Sequence, residues 1–556
     1  MPRRVTPALV LSALAAAACG GGGSGNSTSV PSPPTGLSVP DATRLLEQAT
    51  FGPMPAEVTG VAALGFDGYF KEQLALPATG YPGFVFTPHT PPANCKYDPT
   101  MPTSAASLCA RDQYSLFQVQ RGFFENALSA PDQLRQRVAF ALSQIVVVSG
   151  TEIYEAYAMA AYQNMLLNDA FGNYRQLIED VTLSPVMGRY LDMANNAKAN
   201  PALGTAPNEN YARELMQLFS IGVYKLNPDG SLMLDASSSP IPTYDQDVIE
   251  GFAALFTGWT YPPRPGATSA WTNPINYEGT MVSFPSQHET GSKLLLDGFV
   301  VPAGQTPEQD LKMALDRVFN HPNVGPFVAT RLIQHLVTSN PTPAYVARVA
   351  AVFADNGAGV RGDLAAVVRA ILGDAEARGD APSSPAAGHL REPALFITNV
   401  LRGLGGQSDG VYLRGQAGAM GQPIFTPPTV FNFYPPGFQL PGTQTRAPEF
   451  FIADAATALA RANFVNALVY GGGALPDPTV ADSTGTSVDL TPLVTAADAD
   501  ALVDGLSARL MHGSLSSAAH AAIVTAVNAV PATSGLDRAR MAAYLVATSP
   551  QFQVER

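Results

Sequence analysis

Residues 306–319, TPEQDLKMALDRVF, carry the pattern that decides the fold class. Thr306 and Gln309 are spaced as a capping box, and Pro307 falls in the first turn, where a missing N–H costs no hydrogen bond. Apolar residues then recur at helical spacing, at Leu311, Leu315, Val318 and Phe319. The stretch predicts an amphipathic α-helix with a defined start.

The same signals recur along most of the chain. Seven further segments combine an apolar stripe of period 3.6 with a start signal or a helix-compatible composition: 41–49, 129–149, 342–353, 391–404, 448–468, 501–511 and 538–547. A turn sequence, NPDG at 227–230, predicts a β-hairpin over 222–233. Two stretches rich in proline, 261–302 and 421–442, predict long loops with a few short strands.

We therefore predict a mainly α fold, a large multi-helix globular body with a small β-hairpin or short-strand insertion and long loops rich in proline and aromatic residues. Residues 40–556 are expected to form a single large helical domain, with a possible weak boundary at 470–498, which is rich in Gly, Asp, Thr and Pro.

Composition excludes one class of partner. The chain has 556 residues, of which 46% are hydrophobic and 14% charged, a balance typical of a folded globular protein. Its net charge is -13, and it has no run of Lys or Arg. Nucleic-acid binding needs a basic face that displaces phosphate counterions, so we expect no nucleic-acid partner.

The first residues predict export. Arg3 and Arg4 precede an apolar run, 8–18, which is too short to cross a bilayer, and Cys19 follows three alanines. This pattern resembles a bacterial lipoprotein signal, with 1–18 as the signal peptide and Cys19 as the lipidated residue. Residues 19–39 then form a Gly/Ser/Pro tether. Gly20 resembles the sorting signal of outer-membrane lipoproteins; a periplasmic or secreted protein is the alternative.

Two further cysteines remain, Cys95 and Cys109. An oxidising compartment favours a disulfide between them, and two free buried thiols are the alternative. We expect no zinc site, no other metal and no cofactor, because metal-ligand spacings, the phosphate-binding glycine loop and the dinucleotide fingerprint are all absent from the sequence.

Residues 207–219, PNENYARELMQLF, hold the strongest candidates for chemistry. Asn208 is a favourable N-cap, and an apolar stripe follows at Tyr211, Leu215, Leu218 and Phe219. Helical geometry places Glu214 beside this stripe, where a carboxylate must be paired, hydrogen-bonded or protonated. Glu214 is therefore either a general acid or a structural clamp, and Glu209 is a second acid/base candidate. Arg213 is spaced for an i,i+4 pair with Glu209.

Other polar residues form candidate binding positions. The loop before this helix contains Asn195, Asn196, Asn208 and Asn210, whose amides suit sugar hydroxyls or peptide backbone but also form turns. His288 and Lys293, in HETGSK at 288–293, are candidates for acid/base work and anion binding. Asn432 and Tyr434 are candidate ligand contacts in the aromatic loop 421–442.

Several of these segments together resemble one family. They are LLEQATFGP at 45–53, PNENYAREL at 207–215, TGW at 257–259, HETGSK at 288–293 and PPTVFNFYP at 427–435. Together they resemble the bacterial domain-of-unknown-function 1800 family over nearly all of the chain from Pro40. The resemblance implies an exported envelope protein. It also implies a partner encoded by a neighbouring gene, and it carries no catalytic residues.

Two functional hypotheses follow. The first is an envelope-anchored enzyme, best described as a hydrolase, that acts on an extracellular polymer such as a polysaccharide, with Glu214 or Glu209 as the acid/base residue and with His288 as a further candidate. The second is a non-catalytic binding or assembly lipoprotein that holds its partner through the aromatic loops.

Replacing Cys19 tests the anchor. Cys19→Ser removes the thiol that would carry the lipid, so the full-length protein should move from the membrane pellet to the soluble fraction after cell fractionation. Cys95→Ser keeps Cys19 and should leave the protein in the membrane fraction. A Cys19→Ser protein that still sediments with membranes would contradict the lipid anchor.

Overall fold

A computed structural model describes residues 36–378 and 386–556, so Cys19 and the residues before Gly36 lie outside the described part of the chain. The first described helix, α1 (Val39–Ala49), shows why these residues fold as they do. Ser38 Oγ accepts the N–H of Asp41 at 3.2 Å, Pro40 lies in the first turn, and Leu45 faces the core. The helix therefore begins where its capping residue predicts.

The described residues contain 22 α-helices, and the prediction of a mainly α fold is confirmed. The first eight are α1, α2 (Pro55–Ala75), α3 (Ala105–Gln113), α4 (Phe117–Ser129), α5 (Gln133–Ser143), α6 (Ala156–Asp169), α7 (Tyr174–Leu183) and α8 (Pro185–Tyr190). The next nine are α9 (Asn210–Glu214), α10 (Gln246–Leu255), α11 (Pro307–Phe319), α12 (Val324–Leu336), α13 (Pro343–Ala354), α14 (Leu364–Gly373), α15 (Ala375–Arg378), α16 (Pro393–Gly403) and α17 (Val411–Ala419). The last five are α18 (Ala455–Val469), α19 (Ala499–Met511), α20 (Ser517–Asn528), α21 (Gly535–Ala547) and α22 (Pro550–Gln553).

The capping box that opened the sequence analysis is present at α11. Thr306 accepts the N–H of Gln309 at 3.3 Å, and the Gln309 side chain accepts the N–H of Thr306 at 3.0 Å. Helix α18 departs from the sequence prediction, because Pro448–Ile452 forms a separate 3₁₀ turn and the α-helix begins only at Ala455, after the Asp454 cap.

The helices pack around one continuous hydrophobic core. Helices α12, α13 and α14 contact one another, and so do α19, α20 and α21 near the C-terminus. Helix α1 contacts α2 and α5, which belong to the N-terminal part of the chain, and also α19, which belongs to the C-terminal part. Residues 36–556 form one compact unit, and the predicted weak boundary at 470–498 lies within it.

Strands are short and paired two by two. The antiparallel pairs are β1 (Trp259–Thr260) with β2 (Val282–Ser283), β3 (Lys293–Leu294) with β4 (Val300–Val301), β5 (His389–Leu390) with β8 (Val554–Glu555), and β6 (Gln407–Ser408) with β7 (Thr486–Ser487). The predicted hairpin also forms: the N–H of Met233 donates to the carbonyl of Lys225 at 2.8 Å, and a third segment adds Ile241, whose N–H donates to Met233 at 3.0 Å.

A buried ion network surrounds Arg391, just before α16. Its guanidinium lies 3.6 Å from Glu47 on α1 and 3.3 Å from Glu555 on β8. Although burial opposes it, the charge of Arg391 holds the pKa of Glu555 below its usual range. His512, at the end of α19, adds a 2.7 Å contact to Glu47. Elements far apart in sequence thus meet at one charged cluster.

Among residues 36–378 and 386–556, no helix combines the length and the apolar character needed to cross a bilayer.

The expected disulfide joins Cys95 to Cys109. The two Cα atoms are 5.1 Å apart, within the usual range for a disulfide, and the Cys95 side chain is buried. Cys109 lies on α3, while Cys95 lies in the preceding loop. The bond therefore fixes a segment that has little regular structure of its own.

Breaking this bond should lower stability. A Cys95→Ser, Cys109→Ser double variant should lose about 3 kcal/mol of unfolding free energy, because the unfolded chain regains the entropy of a loop of roughly 15 residues. Urea denaturation would measure the loss, and adding a reductant to the unaltered protein should reproduce it. An unchanged urea midpoint in both experiments would contradict the stabilising role.

Candidate active site at Glu214

Helix α9 carries Glu214 and continues directly into a π-helical segment, Leu215–Ser220. Asn208 supports its start, since Asn208 Oδ1 accepts the N–H of Asn210 at 2.8 Å. The predicted stripe is confirmed: Tyr211, Leu215 and Phe219 are buried, and half-buried Leu218 packs against the core. Met216, in the wider π turn, is fully buried as well.

Glu214 is buried without an ion-pair partner. Its side chain is 8% exposed, and Oε2 accepts no hydrogen bond from any described residue. Burial raises the pKa of this carboxyl, and the nearby charge of Arg213 opposes the shift only in part. Of the two roles proposed from the sequence, the geometry favours a protonated acid over a closed structural clamp.

Glu209 has the opposite environment. Arg213 Nη2 lies 2.7 Å from Glu209 Oε2, which is the predicted i,i+4 pair, and Gln246 Nε2 donates to Oε1 at 2.9 Å. Both oxygens are therefore occupied on a half-exposed surface. Glu209 acts as a partner for Arg213, and nothing in its environment favours proton transfer.

Two tyrosines lie within electrostatic reach of Glu214, and one of them, Tyr190, also lies within reach of Glu152. Burial, together with the charges of Glu152 and Glu214, raises the pKa of Tyr190 to about 12, so both carboxylates lie within electrostatic reach of this phenol. Burial and the charge of Glu214 also raise the pKa of Tyr244 to about 12. Arg189 Nε lies 3.2 Å from Glu152 Oε1 and forms an ion pair with it.

These neighbours were not identified from the sequence. Glu152 follows α5 in a loop, and Tyr190 ends α8, so no local spacing links either residue to Glu214. The one available signal was the Arg189-Tyr190 pair at the end of a short helix, which by itself does not indicate a site.

The asparagine-rich loop is held mainly by its own amides. Asn196 Oδ1 accepts the N–H of Asn208 at 2.8 Å, and Asn196 Nδ2 donates to the Asn208 carbonyl at 3.2 Å. Asn195 Oδ1 accepts the hydroxyl of Thr260 at 2.5 Å, and Asn210 Nδ2 donates to Asp192 at 3.4 Å. Asn196 therefore closes the loop, while Asn195, Asn208 and Asn210 keep exposed or half-exposed surface.

His288 and Lys293 belong to a closed triad. His288 Nε2 lies 2.9 Å from Asp310 Oδ2, and Lys293 Nζ lies 2.7 Å from the same oxygen. All three side chains are at most 3% exposed. This arrangement ties the loop to α11 and leaves no access for substrate. Asp310 was missed in the sequence, although it lies one helical turn before Ala314, on the buried side of α11.

Asn432 and Tyr434 lie around a different carboxylate. Tyr434 Oη donates to Glu392 Oε2 at 2.7 Å, and Asn432 Nδ2 donates to Gln144 Oε1 at 2.8 Å. Gln144 and Gln422 also donate to Glu392. The aromatic loop is thus bound to the end of α5 and the start of α16.

The asparagine loop contacts the His288 loop, because the N–H of Lys198 donates to the carbonyl of Gln287 at 2.8 Å. No described hydrogen bond joins the asparagine loop to Tyr434.

Comparison with known families matches residues 44–554 to the model described as "Protein of unknown function (DUF1800)". The chain belongs to the DUF1800 family. The comparisons with curated proteins and with solved structures find no match. The motif at 207–215 carried the resemblance in sequence, and this segment contains Glu214.

Within the described residues, no group of three or more His, Cys, Asp and Glu side chains is arranged to hold a metal ion.

The pH dependence of stability distinguishes a buried acid from a clamp. Because burial raises the pKa of folded Glu214 above the ordinary value of 4.5, stability is highest below that value and is lost as pH rises through the folded pKa. Glu214→Gln removes this penalty. The variant should be more stable than the unaltered protein at about pH 7 and similar to it at about pH 4, as measured by urea unfolding.

Glu209→Gln is the matched control. It breaks a half-exposed ion pair, so it should cost only about 0.3–0.5 kcal/mol at neutral pH. A large loss of stability at neutral pH in Glu214→Gln would instead show that Glu214 is a structural clamp.

Proposed function

We propose that this protein is an exported, lipid-anchored enzyme of the cell envelope that acts on an extracellular polymer, best a glycan, with Glu214 as the general acid. The observation that supports this most is a carboxyl that is buried, has no ion-pair partner and has a raised pKa. General acids of this kind remain protonated near neutral pH because their environment disfavours the charge.

The neighbouring groups supply the remaining parts of a hydrolytic site. Glu214 would give its proton to the oxygen of the leaving sugar as the glycosidic C–O bond breaks. Glu152, which is ion-paired with Arg189, would take a proton from the attacking water. Water adds OH to one sugar and the proton returns to the acid, so atoms and charge balance. Two carboxyl groups with different protonation states are the arrangement that such hydrolysis needs.

Tyrosines near Glu214 provide surface for a sugar. Tyr190 and Tyr244 are half-buried, and the Tyr244 hydroxyl has no partner among the described residues. A phenol ring offers an apolar face for the C–H side of a pyranose and a hydroxyl for its polar edge. Asn195 and Asn210, at the exposed edge of the asparagine loop, add amide groups for sugar hydroxyls.

A different observation supports a second candidate function. The three-segment ribbon 223–243 exposes Val223, Tyr224, Leu232, Met233 and Leu234 by 39% to 54%. A group of exposed apolar side chains on one ribbon is typical of a protein-binding surface. The alternative is therefore a non-catalytic binding or assembly lipoprotein, and this ribbon favours it more than the aromatic loop does, since Phe433 and Tyr434 are buried.

Activity measurements on purified protein separate the two proposals. Isolated envelope polysaccharides would be incubated with the protein, and new reducing ends would be measured. Glu214→Gln should lower the rate by about 10²- to 10⁴-fold, because the leaving oxygen is no longer protonated. Glu209→Gln, which changes an equivalent side chain at the other end of the same short helix, should retain most of the activity.

Two results would contradict the enzymatic proposal. One is a Glu214→Gln protein with the unaltered rate. The other is an equal loss in both variants, which would indicate a shared effect on the helix and not proton transfer.

A further inference from the structure

A cavity of about 750 Å³ lies where α1 meets the C-terminal helices. Its walls include residues of α1, of α15, of the turn between α19 and α20, and of α22. Ligand-binding cavities in proteins commonly measure about 300–1,000 Å³, so this space is large enough for a small organic molecule. Glu214 and the tyrosines near it do not line this cavity, and the hydrolytic site proposed above leaves it unused.

One wall of the cavity carries a histidine that is held by a buried carboxylate. His512 Nδ1 lies 2.7 Å from Glu47 Oε2, and Glu47 in turn lies 3.6 Å from Arg391. The other ring nitrogen of His512, Nε2, makes no hydrogen bond with another residue in the described part of the chain. Because Nδ1 is occupied and His512 lines the cavity, Nε2 is the ring nitrogen left to bind a ligand there.

The backbone of His512 is unusual for a residue with a side chain. His512 ends α19 with φ 44° and ψ 26°, in the left-handed region where glycine or asparagine commonly ends a helix. This conformation is strained for most other residues, and strained residues are concentrated at functional sites. At this position the conformation is combined with an imidazole that contacts Glu47 and lines the cavity.

Small hydroxyl and amide side chains continue the same wall. The exposed Ser514 hydroxyl makes no hydrogen bond with another described residue. Gln551 Nε2 donates to Ser516 Oγ at 3.1 Å, which leaves the amide oxygen of Gln551 without a described partner. The rings of Pro40 and Pro550 add exposed apolar surface at the rim. The wall therefore offers both donors and acceptors beside small apolar faces.

The acidic side chains of the wall already have cationic partners. Asp41 Oδ1 lies 4.0 Å from Arg44 Nη2, and Glu376 Oε1 lies 3.2 Å from Arg348 Nη2. Neither carboxylate therefore requires a positively charged ligand. Among the described residues that line the cavity, none is Phe, Tyr or Trp, which disfavours flat aromatic ligands. Imidazole, hydroxyl and amide groups beside paired carboxylates favour a neutral ligand that is rich in hydroxyl groups.

We propose that this cavity binds a short neutral saccharide, with His512 Nε2, the Ser514 hydroxyl and the Gln551 amide oxygen as its hydrogen-bonding groups. Sugar hydroxyls both donate and accept, as these three groups together do. Glu47 is a positioning residue, because it fixes the orientation of the imidazole. The site does not depend on the function proposed for Glu214.

Calorimetric titration of the full-length protein with two neutral disaccharides, cellobiose and chitobiose, would test the cavity. We expect saturable binding of at least one of them. Trialanine, titrated in the same way, tests a peptide as the occupant, and binding of trialanine alone would overturn the saccharide assignment. Glu214→Gln should bind the disaccharide as the unaltered protein does, so this site and the hydrolytic site can fail independently.

Variants in the wall locate the binding site. Ser514→Trp fills the cavity without removing a described hydrogen bond, and it should weaken disaccharide binding by at least about tenfold. His512→Asn keeps a residue that tolerates the left-handed conformation but removes Nε2, and it should also weaken binding by at least about tenfold. Ser237→Trp is the matched control, since it adds the same ring at an exposed serine outside the cavity lining. If His512→Asn fails to fold, Ser514→Trp decides the outcome.

Either of two further results would also overturn the proposal. One is that neither disaccharide binds saturably to the unaltered protein. The other is that Ser514→Trp binds the disaccharide no more weakly than Ser237→Trp does, which would place the bound sugar outside this cavity.

Discussion

Arg391 connects parts of the chain that lie at opposite ends of the sequence. Its guanidinium contacts Glu47 on α1 and Glu555 on β8, and Nη1 donates to the carbonyl of Phe552. A charge in such a place is costly to desolvate, so it is stable only when every partner is in position. The first and last helical groups must therefore both be folded before this cluster is complete. This requirement links the start of the described chain to its C-terminus.

The same physical rule separates structural carboxylates from the candidate acid. Asp310, Glu392 and Glu555 are each buried among cations or hydrogen-bond donors that stabilise a negative charge. Glu214 is buried as deeply as a core residue but lacks such a partner. A carboxyl in that environment favours its neutral form, and burial raises the pKa of Asp169 in the same way, to about 7. The π-helical segment that follows Glu214 belongs to the same local irregularity, which is common near functional sites.

The helices of this protein were determined largely by local sequence. The Thr306 cap, the apolar spacing after it and the Pro343 start predict α11 and α13, because these signals act within one or two helical turns. The burial of Glu214 and its separation from the Glu209–Arg213 pair also follow from helical spacing. The motif at 207–215, which carries the resemblance to the DUF1800 family, was likewise visible in the sequence alone.

Tertiary structure alone decided which charged groups meet. The sequence indicated His288 and Lys293 as functional residues, but Asp310 closes them into a buried triad from another helix. Tyr190 comes within electrostatic reach of Glu214 and of Glu152 only because separate segments pack together, and the loop at Pro436 is held on α12 by Gln334. The physical reason is that helix signals act over a few residues, whereas the partner of a buried charge is chosen by packing between distant segments.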